Sequence, residues 1–171
     1  MKRMKPILAL LICASLIATL FLPSCAKKDS YADDVPCAEL ADAVEDQIPV
    51  DFGYETLGGD HLRYYFSDTK RHDDVCLRYS VRSENINEFG IFHTPDEESR
   101  QEIQRLTETY LEQLRDDQSA FIASYAPEEL PKLERAELRT FGNYTVYGIL
   151  DDGDRELLFE TVERKLTQRQ S

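Results

Sequence analysis

The sequence predicts an α+β fold, a two-layer sandwich in which helices cover an antiparallel sheet of about four strands. Two pairs of β-rich segments, 75–82 with 86–93 and 134–141 with 144–150, are each joined by a short link. Between these pairs, a long segment repeats apolar residues at helical spacing. Strands joined as hairpins form an antiparallel sheet, so we expect the long amphipathic helix and the terminal helices on one of its faces.

The chain begins with the layout of a bacterial lipoprotein signal. Three basic residues among the first five precede an apolar run over 7–22, which ends in a Leu-Pro-Ser-Cys sequence at Cys25. A basic start, a short apolar stretch and a small residue before the cleavage point are typical of exported proteins. We predict that residues 1–24 are a signal peptide, that Cys25 receives a diacylglyceryl group, and that residues 25–35 form a lipidated tether.

Residues 36–171 are predicted to fold as a single domain on the extracytoplasmic face of the cell membrane. An uncleaved anchor is the alternative, but the apolar run has 16 residues and a spanning helix needs about 20. Pro23 would also break a helix where an anchor should continue. No internal repeat or change of composition divides the rest of the chain.

The first helix of the domain is predicted over 36–47. Pro36 suits the first helical turn, Asp33 or Asp34 can cap it, and Pro49 prevents its continuation. Its apolar residues recur every four positions at Leu40, Val44 and Ile48. Residues 51–59 are rich in turn formers, 60–66 form a short apolar-aromatic piece, and 67–74 read as a polar loop.

The first hairpin is predicted from strict alternation. Val75, Leu77, Tyr79 and Val81 alternate with more polar residues, which is the period of a strand. Residues 86–93 are predicted as the next strand, with 83–85 as the hairpin loop.

The long helix follows a capping pattern in which Thr94 is the predicted N-cap, Pro95 the first residue and Glu97 the third. Pro127 ends it. We interpret its apolar stripe as core rather than as a ligand groove. The stripe consists of Ile103, Leu106, Tyr110, Leu114, Phe121 and Tyr125.

The second hairpin turns at Gly142-Asn143, a two-residue link suited to a primed turn. That link places Ala136 opposite Ile149 and Leu138 opposite Tyr147, on the predicted core face. Asp154 is then the predicted cap of a last helix, whose apolar residues repeat at Leu158, Val162 and Leu166. Residues 151–154 faintly resemble a calcium loop but lack its alternating oxygen ligands, so we interpret them as a turn.

The charge of the chain is strongly acidic, with 33 acidic and 20 basic residues and a formal net charge of −13. The leader holds three basic residues and no acidic ones, so its removal brings the charge to −16. Such a surface repels nucleic acid, which we do not expect as a partner, and favours basic partners or cations. A merely solvated, aggregation-resistant exterior is the plain alternative.

Two cysteines, Cys37 and Cys76, remain besides the leader's Cys13 and the lipidated Cys25. Export permits a disulfide between them, closing a loop of 40 residues that contributes roughly 4 kcal/mol. The alternatives are two inert buried thiols, a reactive Cys37 near a helix start, and a metal site that combines Cys76 with His72. The sequence indicates no cofactor.

A resemblance to a known family lies in the long helix and second hairpin. Its pattern is Phe121-x-x-x-Tyr125-x-Pro127-Glu128-Glu129-x-x-x-Leu133-x-x-Ala136, followed by Gly142-x-Tyr144 and Asp151. This pattern resembles the bacterial envelope lipoproteins of domain of unknown function (DUF) 4358 over roughly residues 75–151. The resemblance implies a small exported lipoprotein with a compact domain and implies no catalytic residue. It does not extend to Asp51–Asp74, whose role stays open.

Three functions are compatible with these patterns. The first is a non-enzymatic cell-envelope module that binds a small ligand or an envelope protein; an exposed aromatic patch, such as one formed by Tyr54, Tyr64, Tyr65 and Phe66, would favour it. The second is a hydrolase or wall-modifying enzyme, which would need two carboxylates roughly 5–10 Å apart in a cleft. The third is a thiol or metal protein that uses Cys37 and Cys76. The sequence has no catalytic motif, so we predict the first.

Overall fold

The computed structural model describes residues 31–57, 66, 72–82 and 84–168. The predicted signal peptide, Cys25 and all of the segment 60–66 except Phe66 lie outside these residues. The described elements are α1 (Cys37–Glu45), β1 (Tyr54–Thr56), β2 (Asp74–Ser80), β3 (Glu88–His93), α2 (Glu97–Tyr125), α3 (Leu130–Glu134), β4 (Glu137–Phe141), β5 (Tyr144–Ile149) and α4 (Asp152–Gln168). None of the helices in the described part of the chain is both long and apolar enough to cross a bilayer.

The sheet confirms the predicted α+β class. Its strands lie in the order β1-β2-β3-β5-β4, and every neighbouring pair is antiparallel. Both predicted hairpins are present, and Leu138 pairs with Tyr147 as the two-residue link requires. Gly142 has a φ of 60°, the left-handed conformation that a primed turn needs and that glycine adopts without strain.

The described sheet has five strands instead of about four, because β1 extends it beyond β2. Tyr54 pairs with Ser80 and Thr56 with Arg78. Only three residues form this edge strand, too few to show the alternation by which a strand is recognised. The sequence therefore predicts only a turn-rich segment where the structure has β1.

Helices cover both faces of the sheet, so the layers number three and the helices are not confined to one face. Cys76, Ile91 and Val146 pack with α1 and α4, whereas their neighbours Leu77, Phe92 and Tyr147 pack with α2. Every residue of β5 is buried. A strand buried on both faces needs apolar cover on each side, which a single helical layer does not provide.

Helix α2 begins later than predicted. Its N-cap is Asp96, whose Oδ1 accepts from the Ser99 amide at 2.8 Å. Thr94, the predicted cap, instead donates its hydroxyl to the Asn143 carbonyl oxygen at 2.9 Å and joins the end of β3 to the turn before β5. Both residues suit a cap, and tertiary contact decides between them.

Two other helix starts also differ from the predictions. Asp74 of β2, and neither Asp33 nor Asp34, accepts from the Cys37 amide at the start of α1, at 2.7 Å. Helix α4 starts at Asp152, two residues before its predicted cap Asp154. Helix α3 is absent from the predictions, because its five residues are too few to show a helical period. Its last residue, Glu134, falls in the strand predicted over 134–141.

Candidate functional site

A groove of about 270 Å³ opens at one end of the sheet. It lies between the last residues of β2, the first of β3 and the last turns of α2. Its apolar lining consists of Tyr79, Ile86, Leu114, Phe121, Ile122, Tyr125, Ala126, Leu133 and Ile149. The polar groups on its walls are Ser80, Arg82, Asn85, Asn87, Glu88 and Gln118.

Two aromatic side chains stand at this groove with most of their surface in solvent. Phe121 is 58% exposed and Tyr125 is 76% exposed, and their ring centroids are 4.6 Å apart. Their predicted place in the core is wrong, whereas Ile103 and Tyr110 of the same stripe are buried. Helix α2 has 29 residues and is about 43 Å long, whereas the strands are about 20 Å long. The last turns of the helix, which carry Phe121 and Tyr125, therefore extend beyond the sheet.

A buried ion pair supports the wall of the groove. Lys132 Nζ lies 2.8 Å from both carboxylate oxygens of Glu129 and 2.8 Å from Asn87 Oδ1. Glu129 Oε2 also accepts from the Ile86 amide at 3.0 Å. The cluster therefore ties the α2–α3 connection to the loop between β2 and β3. Both Asn87 and Ile86 line the groove, so its shape depends on this cluster.

Glu88 is the only carboxylate among the described residues that line the groove. Its Oε1 accepts from the hydroxyl of Tyr110 at 2.7 Å and of Tyr147 at 2.6 Å. Burial, followed by the charge of Glu88, raises the pKa of Tyr147. These hydrogen bonds join β3 to α2 and β5. The described lining thus supplies one carboxylate, whereas a carboxylate-dependent hydrolase uses two.

The predicted aromatic patch does not form from Tyr54 and Phe66. Tyr54 packs edge-on against Phe89 at 5.4 Å, and Phe66 is buried against Phe92 at 5.0 Å. Tyr64 and Tyr65 lie outside the described residues. The exposed aromatic pair lies instead at the end of α2. Helical spacing alone does not show that this helix passes the edge of the sheet.

Cys37 and Cys76 lie in the same core cluster, and both are buried free thiols in this structure. Burial raises the pKa of each thiol, and the charge of Asp74 adds to this effect at Cys37. A raised pKa disfavours the thiolate, so a reactive Cys37 is not favoured. Arg78 Nη1 contacts Cys76 Sγ at 2.7 Å. The disulfide stays a prediction.

His72 does not join these cysteines in a metal site. Its ring packs 5.9 Å from that of Phe92, and burial lowers its pKa. Throughout residues 31–57, 66, 72–82 and 84–168, no three His, Cys, Asp or Glu side chains are placed to hold a metal ion. In the turn at 151–154, which faintly resembles a calcium loop in sequence, Asp152 forms an ion pair with Arg155 at 2.8 Å. This carboxylate therefore already has a cationic partner.

A second cluster, which we call the N-terminal clasp, lies at the other end of the sheet and consists of Asp33, Asp73, His93, Asn143 and Tyr144. His93 Nδ1 lies 2.6 Å from Asp73 Oδ1, and its Nε2 lies 3.0 Å from Asp33 Oδ1. Tyr144 Oη accepts from the Val35 amide at 3.0 Å and donates to its carbonyl at 2.8 Å. Residues 31–35, the end of the predicted tether, are thus held against the domain.

The clasp is expected to weaken as pH rises. Burial lowers the pKa of His93, but its hydrogen bonds to Asp33 and Asp73 outweigh this and raise it overall. The stabilisation is therefore complete below the ordinary histidine pKa of about 6.5 and is lost as pH rises through the folded value. We expect higher amide-exchange protection factors for Ala32 and Val35 at roughly pH 5.5 than at pH 8.

The control for this pH effect is His93→Gln, which keeps a hydrogen-bonding side chain without a titratable charge. Its protection factors at Ala32 and Val35 should change less between the two pH values than those of the wild type. An equal change in both proteins would assign the effect to other groups.

Comparison with protein families gives a match to this chain. A family model described as domain of unknown function (DUF4358) matches residues 57–150, which is more than half of the chain and includes both hairpins, α2 and α3. The match extends further toward the N-terminus than the motif over 75–151. No curated protein and no solved structure gives a significant match.

Proposed function

This chain belongs to the DUF4358 family, and we propose that it is a lipid-anchored envelope protein whose domain binds a ligand or protein partner without catalysis. The observation that carries this proposal is the exposed pair Phe121 and Tyr125 beside an apolar groove. Exposed aromatic groups gain about 25 cal/mol for each Å² of apolar surface that a partner removes from water. Aromatic side chains are also enriched at binding surfaces.

The size of the groove suits a single bulky side chain or a small molecule better than a large ligand. Sites for drug-sized ligands usually occupy about 300–1,000 Å³, and this groove of about 270 Å³ is just below that range. It is large enough for a bulky side chain or a small molecule. The proposal therefore covers both a protein partner and a small ligand.

The anchoring part of the proposal comes from the first 25 residues. Cleavage before Cys25 and acylation of its sulfur would hold the mature chain on the outer face of the cytoplasmic membrane. The hydrolase and thiol alternatives have less support, because the described lining of the groove supplies one carboxylate and both cysteines are buried.

Photo-crosslinking in intact cells tests the proposal. A benzophenone amino acid at Tyr125 should give a discrete adduct, and adding Phe121→Ser should reduce that adduct. The same group at Gln101, an exposed position in the first turns of α2, is the matched control and should give none. Because Phe121 and Tyr125 are exposed, their replacement by serine should change the free energy of unfolding by less than about 0.5 kcal/mol each.

The mass of the purified native protein tests the anchor in the same cells. A chain beginning at Cys25 with added acyl groups is expected, and Cys25→Ser should remove the acyl mass. Retention of Met1 would contradict the anchor, and equal adducts at Tyr125 and Gln101 would contradict the binding surface.

A further inference from the structure

The groove and the N-terminal clasp lie at opposite ends of the same strands. β3 runs from Glu88 in the groove to His93 in the clasp, and β5 runs from Tyr144 in the clasp to Ile149 in the groove. Six residues of antiparallel strand separate the two ends by about 17 Å. The clasp holds the segment that leads to Cys25, so the predicted lipid anchor joins the domain at the clasp end and not at the groove end.

The distance from the anchor to the clasp is short. Only five residues separate Cys25 from Tyr31, so the two Cα atoms can be at most about 22 Å apart. Tyr31 and the residues after it are fixed on the domain: the Tyr31 hydroxyl contacts Glu163 at 3.0 Å, and the Ala32 amide donates to the Leu166 carbonyl at 2.9 Å. If the anchor of the proposed function is correct, the clasp end lies near the bilayer and the groove faces away from it.

Charge around the groove indicates which partner fits. Asp117 is exposed one helical turn before Phe121, and exposed Glu128 follows Ala126 of the groove wall. Arg82, the cation among the described lining residues, is paired with Glu84. Two exposed carboxylates thus neighbour lining residues of an apolar groove, on a chain whose formal charge is −13. A basic partner is attracted to this surface, and an acidic one is repelled.

We infer that the groove accepts an apolar side chain from a basic polypeptide segment of an envelope partner, on the side of the domain away from the membrane. The inference rests on the proposed function and adds the chemistry and direction of approach of the partner. The apolar side chain packs on Phe121, Ile122 and Leu133, and flanking lysine or arginine residues lie near Asp117 and Glu128. Asn85 and Gln118 on the walls can hydrogen-bond the partner backbone.

Peptide probes test the chemistry, with the full lipid-anchored protein on phosphatidylcholine vesicles. A labelled Lys-Lys-Leu-Phe-Lys-Lys peptide should bind at least about tenfold more tightly than Glu-Glu-Leu-Phe-Glu-Glu and Lys-Lys-Ser-Ser-Lys-Lys. The double variant Phe121→Ser/Tyr125→Ser should lose about tenfold in affinity. The variant Asp117→Asn/Glu128→Gln should lose severalfold and show a weaker dependence on salt. Arg105→Ala, at the distant part of α2, is the control that should bind as the wild type does.

Energy transfer to dansyl-labelled lipid tests the direction. The chain has no tryptophan, so Tyr31→Trp and Phe121→Trp each introduce a single donor. Transfer should be larger from position 31 than from position 121. Equal transfer, or larger transfer from position 121, would overturn the inferred orientation.

Other outcomes separate this inference from the proposed function. Equal binding of the acidic peptide, or unchanged affinity in the aromatic double variant, overturns the inferred partner. Binding of chitotetraose that the double variant loses would identify a glycan instead and would also overturn it. In each of these three cases, a Tyr125 adduct in cells would still support the proposed function.

Discussion

Replacing Lys132 by methionine is expected to lower the free energy of unfolding by about 3–5 kcal/mol. Lys132 and Glu129 are 5% and 9% exposed, and Lys132 donates to both oxygens of Glu129. Lys132→Met leaves the Glu129 carboxylate buried with the Ile86 amide as its remaining hydrogen-bond donor among the contacts described above. A buried charge without its counter-ion is one of the few single-site changes with an effect of this size.

The control for Lys132→Met is Arg105→Met. Arg105 and Glu102 have the same spacing of three residues, but the Arg105 side chain is 61% exposed. Losing an exposed pair costs at most about 1 kcal/mol. Urea denaturation of both variants measures the difference, and equal losses would show that the burial of the Lys132 pair has no energetic consequence.

A double variant separates charge from packing at this cluster. Lys132→Met/Glu129→Leu removes both charges and should recover part of the stability that Lys132→Met loses. The recovery should be incomplete, because the Ile86 amide then loses its acceptor and Asn87 Oδ1 loses its donor. Because Ile86 and Asn87 line the groove, the cluster links the stability of the domain to the proposed binding surface.

Replacing Gly90 by alanine is expected to cost about 3 kcal/mol, at the upper end of overpacking effects. A Cβ atom at this position would lie 2.2 Å from Tyr147 Cε1. The Tyr147 ring cannot retreat easily, because its side chain is fully buried and its hydroxyl donates to Glu88. Gly90 is therefore needed for the close approach of the ring to β3, which pairs with β5 at this residue.

Gly153→Ala is the control for Gly90→Ala. A Cβ atom at Gly153 would meet nothing within 4 Å, and its residue lies in the first turn of α4. This substitution should be neutral or stabilise the domain by up to about 1 kcal/mol, because alanine restricts the unfolded chain. Thermal unfolding of the two variants should therefore shift in different directions or by clearly different amounts. A Gly90→Ala protein as stable as the wild type would mean that Tyr147 has another position available.

Local patterns predicted the elements with strong periodicity. Alternation located β2, the two-residue link set the pairing of Leu138 with Tyr147, and helical spacing located α2. Strand alternation, turn length and helical spacing are all properties of residues that are close in sequence, so the sequence alone can show them. The three-residue strand β1 and the five-residue helix α3 are too short to show a period, and they were missed.

The candidate site was less accessible to prediction from the sequence. Phe121 and Tyr125 fit the apolar stripe of α2, and nothing in their spacing shows that the helix continues beyond the sheet. Glu129 and Lys132 look like surface residues of an acidic chain, and only the fold brings Asn87 to them from 45 residues away in sequence. The one usable signal was the motif itself, which includes Phe121, Tyr125 and Glu129.

By itself, the sequence determined the α+β class, the antiparallel hairpins and the register of the second one. It also determined the acidic net charge, on which the inferred preference for a basic partner depends, and the leader pattern that predicts the anchor. The tertiary structure alone decided that helices cover both faces of the sheet, that Asp74 caps α1, and that the ends of β3 and β5 carry two different clusters. The reason is physical: periodicity records which side of each element is apolar, whereas the partner that covers it is chosen by packing between segments far apart in the chain.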